Sequence, residues 1–419
     1  MMKELFAFID ASPTAFHCVE SVKKILDEKG FKELKESDDW KLKKGDKFYV
    51  KRNGSSLIAF NIPKGGFKGF HIYSAHTDSP SFRIKENPEM VFENNYVRLN
   101  VEKYGGMILS TWFDRPLSVA GRVVVKEGDK LVEKLVNVDK DTCVIPNVAI
   151  HMNHELNNGY KYGVQNDLLP LFGGEKAKGT FDDFIAGEAG VKKEDILGKD
   201  LFLYTRQKCV YTGAGKEFIT APRLDDQACV FAGIKGFSEA KSGSYAGVLA
   251  VFDNEEVGSG TKQGADSTFL EDSLFRVCEA LSLARSEYLR AVSESFNISA
   301  DNAHGVHPAM AGKADPTCRP YLNKGVVLKF NGSQKYATDA VSAAYFKKLA
   351  ASVKANVQPY YNNSDVAGGS TLGNISTAHV SVKTADIGLP QFAMHSAVET
   401  MGSKDVADLV KIVKAYYEE

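Results

Sequence analysis

The sequence predicts an α/β protein with a mainly parallel central sheet, interrupted by a strand-rich insertion. Three observations carry this. From Leu224 onward, short apolar runs alternate with helix-length segments, as in sheets whose strands are joined by helical crossovers. The run Gly247–Phe252 is apolar without alternation, the mark of a strand covered on both faces. Between about 90 and 220 the pattern is instead strand-rich and irregular, with glycine clusters at 173–174 and 213–215. The expected division is therefore one domain from 1–90 and 220–419, with a second inserted at 91–219.

Taken in order, residues 1–30 read as helical, with Phe6, Ile9, Phe16, Val19, Val22 and Ile25 near helical spacing and a break at Ser12-Pro13. Leu57–Ile62 and Gly69–Ala75 read as short strands bounded by Gly and Pro. Alternating runs follow at Tyr96–Val101, Ser118–Lys126 and Lys130–Val138. A helix is expected after Asp225, then the strand at Gly247–Phe252, a helix over Ser267–Ala291 and strands at Phe296–Ser299 and Gly325–Phe330. Helices over Ala337–Val357 and Lys404–Tyr417 complete the reading.

Composition narrows the function. Lys plus Arg total 52 against 53 for Asp plus Glu, which excludes a strongly basic nucleic-acid or membrane-surface protein. Aromatic residues make up 11% of the chain, too many for a disordered one. The longest apolar run, near Tyr245–Phe252, is far short of the ~20 residues of a membrane span. Asp10 arrives too early for a signal-peptide core. Cys18, Cys143, Cys209, Cys229, Cys278 and Cys318 are scattered with no CxxC pair, which fits buried thiols in a reducing compartment. A cytoplasmic location is expected.

Acidic and imidazole side chains recur at element ends. One strand runs into His76-Thr77-Asp78-Ser79-Pro80, where the Asp can steady a ligating His. Another runs into Asp253-Asn254-Glu255-Glu256-Val257-Gly258-Ser259; adjacent carboxylates there repel unless a cation holds one and leaves the other as a base. Asp225-Asp226 precedes a helix, Asp301-Asn302-Ala303-His304 follows a strand, and His395 closes another apolar segment. Each alone has an ordinary explanation, such as a helix N-cap for the Asp pair. Together they suggest a two-metal site, because two divalent cations and a bridging hydroxide balance Asp225, Glu256 and Asp301. Mixed imidazole and carboxylate ligation suits zinc and tolerates manganese or cobalt.

Read together, His76-Thr77-Asp78, Arg223-Leu224-Asp225, Asp253 through Ser259, Ser299-Ala300-Asp301 and Met394-His395-Ser396 resemble the aspartyl aminopeptidase family, which includes the vacuolar aminopeptidase I type. Ser12-Pro13-Thr14 and Gly368-Gly369-Ser370-Thr371 fit the same pattern, and the resemblance spans residues 1–419. It implies a phosphorylase/hydrolase-like α/β catalytic domain interrupted by a β-rich dimerisation domain, with two divalent metal ions. One metal would take His76 and Asp301, the other Glu256 and His395, with Asp225 bridging. Glu255 would be the general base and Asp78 the support of His76. Acidic amino-terminal residues are usual substrates of the aspartyl branch and neutral apolar ones of the vacuolar type. The block Val327-Leu328-Lys329 with Lys335-Tyr336 resembles the family's pocket lining, so Lys329, Tyr336 and His304 are the pocket candidates, although a Lys after a strand is often a solvated edge charge. Ile150-His151 resembles the segment that reaches a neighbouring subunit, which would place His151 in that subunit's site. The implied assembly is a tetrahedral dodecamer built from dimers. One departure is Asp226, where the family usually has Asn.

Other readings have less behind them. His151-Met152-Asn153-His154-Glu155 lacks the His-Glu-x-x-His order. The glycine clusters lack a phosphate-loop Lys, and no G-x-S-x-G elbow occurs. A non-catalytic oligomeric scaffold would be expected to have lost its ligands or base.

Overall fold

The computed structural model describes residues 1–419, whose internal contacts divide them into two units. The first comprises Met1–Asp78, Cys209–Met394 and Glu399–Glu419; the second comprises Ser79–Lys208 and His395–Val398.

The first unit is built on a nine-stranded sheet. Its order is Lys32–Leu34, Lys47–Arg52, Ser56–Asn61, Ala246–Phe252, Phe70–His76, Phe296–Ala300, Lys383–Gly388, Val326–Lys329 and Val357–Tyr360. The four central strands, Ala246–Phe252 through Lys383–Gly388, are mutually parallel, with antiparallel partners on either side. Every residue of Ala246–Phe252 and Phe70–His76 is buried. Successive side chains point to opposite faces, so Tyr73, Ala75, Leu249 and Val251 enter one core and Ile72, Val248, Ala250 and Phe252 another. The first core is closed by the helices Met2–Asp10, Ala15–Glu28, Leu224–Glu239, Ala340–Ser352 and Asp405–Glu418. The second is closed by Phe269–Ala280, Arg285–Glu294 and Leu372–Ser376. The α/β expectation holds.

Several elements differ from the sequence-based reading. The helix expected over Ser267–Ala291 is two helices, separated where Ser282 takes a left-handed φ of 60°. The helix expected over Ala337–Val357 is confined to Ala340–Ser352: Asp339 caps its start by accepting the Ser342 N–H, and Val357–Tyr360 is an edge strand. Lys383–Gly388 and a separate five-stranded sheet were not expected. That sheet runs Val210–Thr212, Phe218–Ala221, Glu399–Gly402, Pro390–Phe392, Ala303–His304, strands of two to four residues that periodicity does not reveal.

The second unit holds a six-stranded antiparallel sheet ordered Lys130–Asn137, Leu117–Glu127, Ile196–Thr205, Ser81–Phe92, Tyr96–Tyr104, Leu171–Gly174. Phe82, Val101, Trp112, Val119, Phe181 and Leu201 belong to its core. The unit begins at Ser79 and its main segment ends at Lys208, each about a dozen residues before the expected bounds. The strand Ser81–Phe92 hides in sequence because it contains Pro88, accommodated where its register shifts between Ile84 and Glu89.

Candidate metal centre

Chemistry collects where three parallel strands of the first unit end. Phe252 pairs with His76 and Ser299 with Ser74, so the chain leaves all three strands at one edge.

His76, the last residue of its strand, is 1% exposed. Its Nδ1 lies 3.1 Å from the Asp78 backbone oxygen and 3.4 Å from the Asp78 carboxylate, while Nε2 lies 3.6 Å from Asp225 Oδ1. Burial works against a charged ring, but the Asp225 and Asp78 carboxylates outweigh it and hold the imidazole well above the ordinary histidine value.

Asp225 and Asp226 follow Arg223, whose φ is 57°, and neither adopts helical backbone angles. Their carboxylates therefore do not follow helical spacing. The Asp225 N–H donates to Glu399 Oε2 at 3.0 Å, and Asp226 Oδ2 accepts the His76 N–H at 3.2 Å. Asn254, with φ 63°, turns the chain into the single 3-10 turn Glu255–Val257, and its side-chain oxygen accepts from Thr261 and Gln263. The Asp78 carboxylate then receives the N–H groups of Glu255 and Glu256.

One ligand-capable atom from each of His76, Asp225, Asp226 and Asp301 lies within 4.8 Å of the others, and the same holds for His76, Glu255 and Glu256. Burial, followed by repulsion from neighbouring carboxylates, pushes Asp226 and Glu255 well above the usual carboxyl range and raises Asp301. A divalent cation relieves both effects, and this set of one imidazole nitrogen among carboxylate oxygens fits such an ion.

Lys329 is not a solvated edge charge. It is 2% exposed, its Nζ is 3.5 Å from Asp301 Oδ2, and it lies 5.4 Å from the centre of the Tyr336 ring. Burial opposes its charge, and Asp301 more than compensates. Tyr336 is buried with Ala303, Val327 and Tyr360, whereas His304 is exposed on its short strand. His151 lies in the second unit, exposed in the turn before His154–Asn157. His395 also belongs to the second unit; its φ is 66° and its carbonyl accepts the Ile108 N–H at 3.0 Å. Sequence reasoning singled out Asp226 only as a departure, and it missed Glu399, which no local spacing marks.

A mixed sheet with an imidazole–carboxylate cluster at its strand exits marks the class as a metal-binding α/β protein. The family model described as Aminopeptidase I zinc metalloprotease (M18) matches residues 8–417, and the chain belongs to that family. Its activity is that of a metalloaminopeptidase. It is 47% identical to the "Probable M18 family aminopeptidase 2" of Clostridium acetobutylicum, covering 99% of this chain and 98% of that one. Among solved structures, it matches a chain of the Ape4 and Nbr1 complex at TM-score 0.96 and 34% identity, over 99% of this chain and 85% of the other. It also matches the S. cerevisiae mApe1 dodecamer at TM-score 0.86 and 28% identity, over 99% and 95% of the two chains.

Proposed function

We propose that this aminopeptidase removes amino-terminal Asp or Glu residues from peptides, with two divalent cations and Glu255 as general base. The observation supporting it is the buried cluster itself: Asp225, Asp226, Glu255 and Asp301 crowd around His76, and a buried Lys329 stands beside Asp301. His76 and Asp301 would hold one ion, Glu256 and His395 the other, and Asp225 would bridge them. Zinc held there supplies Lewis-acid polarisation of the scissile carbonyl and a more acidic water, as manganese or cobalt would. Glu255 accepts the proton of the attacking water and hands it to the leaving amine. Asp78 steadies the His76 ring and the turn that carries Glu255. Lys329 receives the acidic side chain of the substrate, with Tyr336 and His304 lining the pocket. His151 completes the site of a neighbouring copy within a dodecamer of dimers, in the cytoplasm, and the second unit serves as the dimerisation domain.

A second reading rests on the Lys329–Asp301 pair. A lysine already matched by a carboxylate neutralises the centre instead of the substrate, and the pocket would then take neutral apolar residues. Hydrolysis of Asp-, Glu-, Leu- and Ala-reporter amides by metal-loaded enzyme, alongside Glu255→Gln, separates the two. Acidic cleavage lost in the variant supports the first; preference for Leu supports the second. No turnover on any reporter overturns both.

A further inference from the structure

Asp386 lies outside the ligand and base set, yet it is 1% exposed and its carboxylate ties two distant parts of the chain to its strand. It sits on Lys383–Gly388, directly across from Ser299 in the parallel pairing, two residues before Asp301. Its Oδ2 accepts the Ala337 N–H and its Oδ1 accepts the Thr371 hydroxyl at 2.9 Å. The Asp386 N–H in turn donates to the Thr338 hydroxyl at 2.8 Å. Gly373 lets the helix start approach this closely, because a Cβ there would lie 2.4 Å from Asp386 Oδ1. A buried carboxylate costs free energy unless donors satisfy it. Here the donors come from Ala337, which adjoins Tyr336, and from the turn at Thr371.

Lys329 lies on the neighbouring strand. Its ammonium is next to Asp301 and over the Tyr336 ring, and Leu328 just before it pairs with Ile387, just after Asp386. Tyr336 also packs near Tyr360, at 6.4 Å between ring centres. The 336–338 segment therefore has its backbone tied to Asp386 and its Tyr336 ring packed near both Lys329 and Tyr360.

We infer that Asp386 is a positioning residue for substrate selection: it fixes the 336–338 segment, and with it the Tyr336 ring beneath Lys329, and so sets which amino-terminal side chain the pocket takes. This rests on the reading of Lys329 and Tyr336 as pocket residues. Asn in place of Asp keeps the shape but replaces one acceptor oxygen with an N–H pair facing donors, so the 336–338 turn or the Thr371 turn must shift.

The test measures kcat and KM of the metal-saturated enzyme for Asp-, Glu-, Ala- and Leu-reporter amides, with metal content determined for each variant. In Asp386→Asn, the ratio of kcat/KM between the best and worst reporters is expected to fall about tenfold or more, chiefly through KM, at unchanged metal content. Thr371→Val, which removes one donor and leaves the carboxylate, moves the ratio the same way by less; it carries the test alone if Asp386→Asn does not fold. Equal losses on all four reporters, or an unchanged ratio, overturn the inference. Lys329→Met separates this from failure of the pocket reading. If that variant keeps the wild-type preference, the pocket reading is wrong. If it loses the preference while Asp386→Asn keeps it, only the role of Asp386 is wrong.

Discussion

Asp78 accepts the backbone N–H of Glu255 through one carboxylate oxygen and that of Glu256 through the other, each at 3.2 Å. The same side chain stands 3.4 Å from His76 Nδ1. A single acid thus couples the loop after Phe70–His76 to the loop after Ala246–Phe252. A carboxylate can do this because both of its oxygens accept, whereas an amide offers one acceptor oxygen and turns N–H donors toward the other position.

Asp78→Asn is therefore expected to loosen both loops together. Metal affinity should fall by about 10- to 100-fold, the usual cost of losing a partner of a ligating imidazole. Metal titration of the purified variant checks this, and unchanged affinity would mean that the His76 ring is held by the Asp78 backbone oxygen alone.

Glu255→Gln keeps the side chain's size and removes its basicity. Turnover should drop by about 10²–10⁴-fold, with KM and bound metal little changed. Steady-state kinetics paired with metal analysis reads this directly; a rise in KM without loss of kcat would assign Glu255 to binding.

Lys329→Met should leave Asp301 buried among carboxylates with its cation partner gone. Breaking a buried pair from one side costs about 3–5 kcal/mol. The loss should be largest in chelator-treated protein and smaller when divalent ions are supplied, because they offset the same charge. Denaturant midpoints with and without chelator make the comparison, and equal losses in both would argue against electrostatic coupling to the site.

Acid should destabilise the fold through two buried histidines outside the carboxylate cluster. His71 is stacked between Tyr245 and Tyr416, with Nδ1 2.7 Å from the Tyr416 oxygen, and His17 sits against the Thr14 hydroxyl at 2.8 Å. Burial depresses each from 6.5 to about 4. The unfolded chain then binds protons that the folded one refuses, so stability is full above pH ~6.5 and falls as the pH drops toward 4, by up to about 3 kcal/mol per histidine. Urea midpoints at pH 7 and 4.5 test this; His71→Phe should lose less over that interval than the parent.

The legible part of the site was local. Each of His76, Glu255, Glu256 and Asp301 follows an apolar run or closes it, and a buried strand that ends in a polar turn places its next side chains at the sheet edge. Resemblance to the family then assembled those blocks into one centre. The strand Lys383–Gly388 was not legible, because it is short and mixes Lys, Thr and Asp with Ala and Ile. Its Asp386 was missed with it.

The order of the motifs, the α/β class and the residue types at the strand exits were determined by sequence alone, because periodicity and turn chemistry act over a few neighbouring residues. Only the tertiary structure decided that Asp78 would serve Glu255, that Lys329 would be buried against Asp301, and that Asp386 would collect donors from Ala337 and Thr371. The physical reason is the same in each case. A side chain's charge and partners depend on what packs around it, and those neighbours lie tens to hundreds of residues away along the chain.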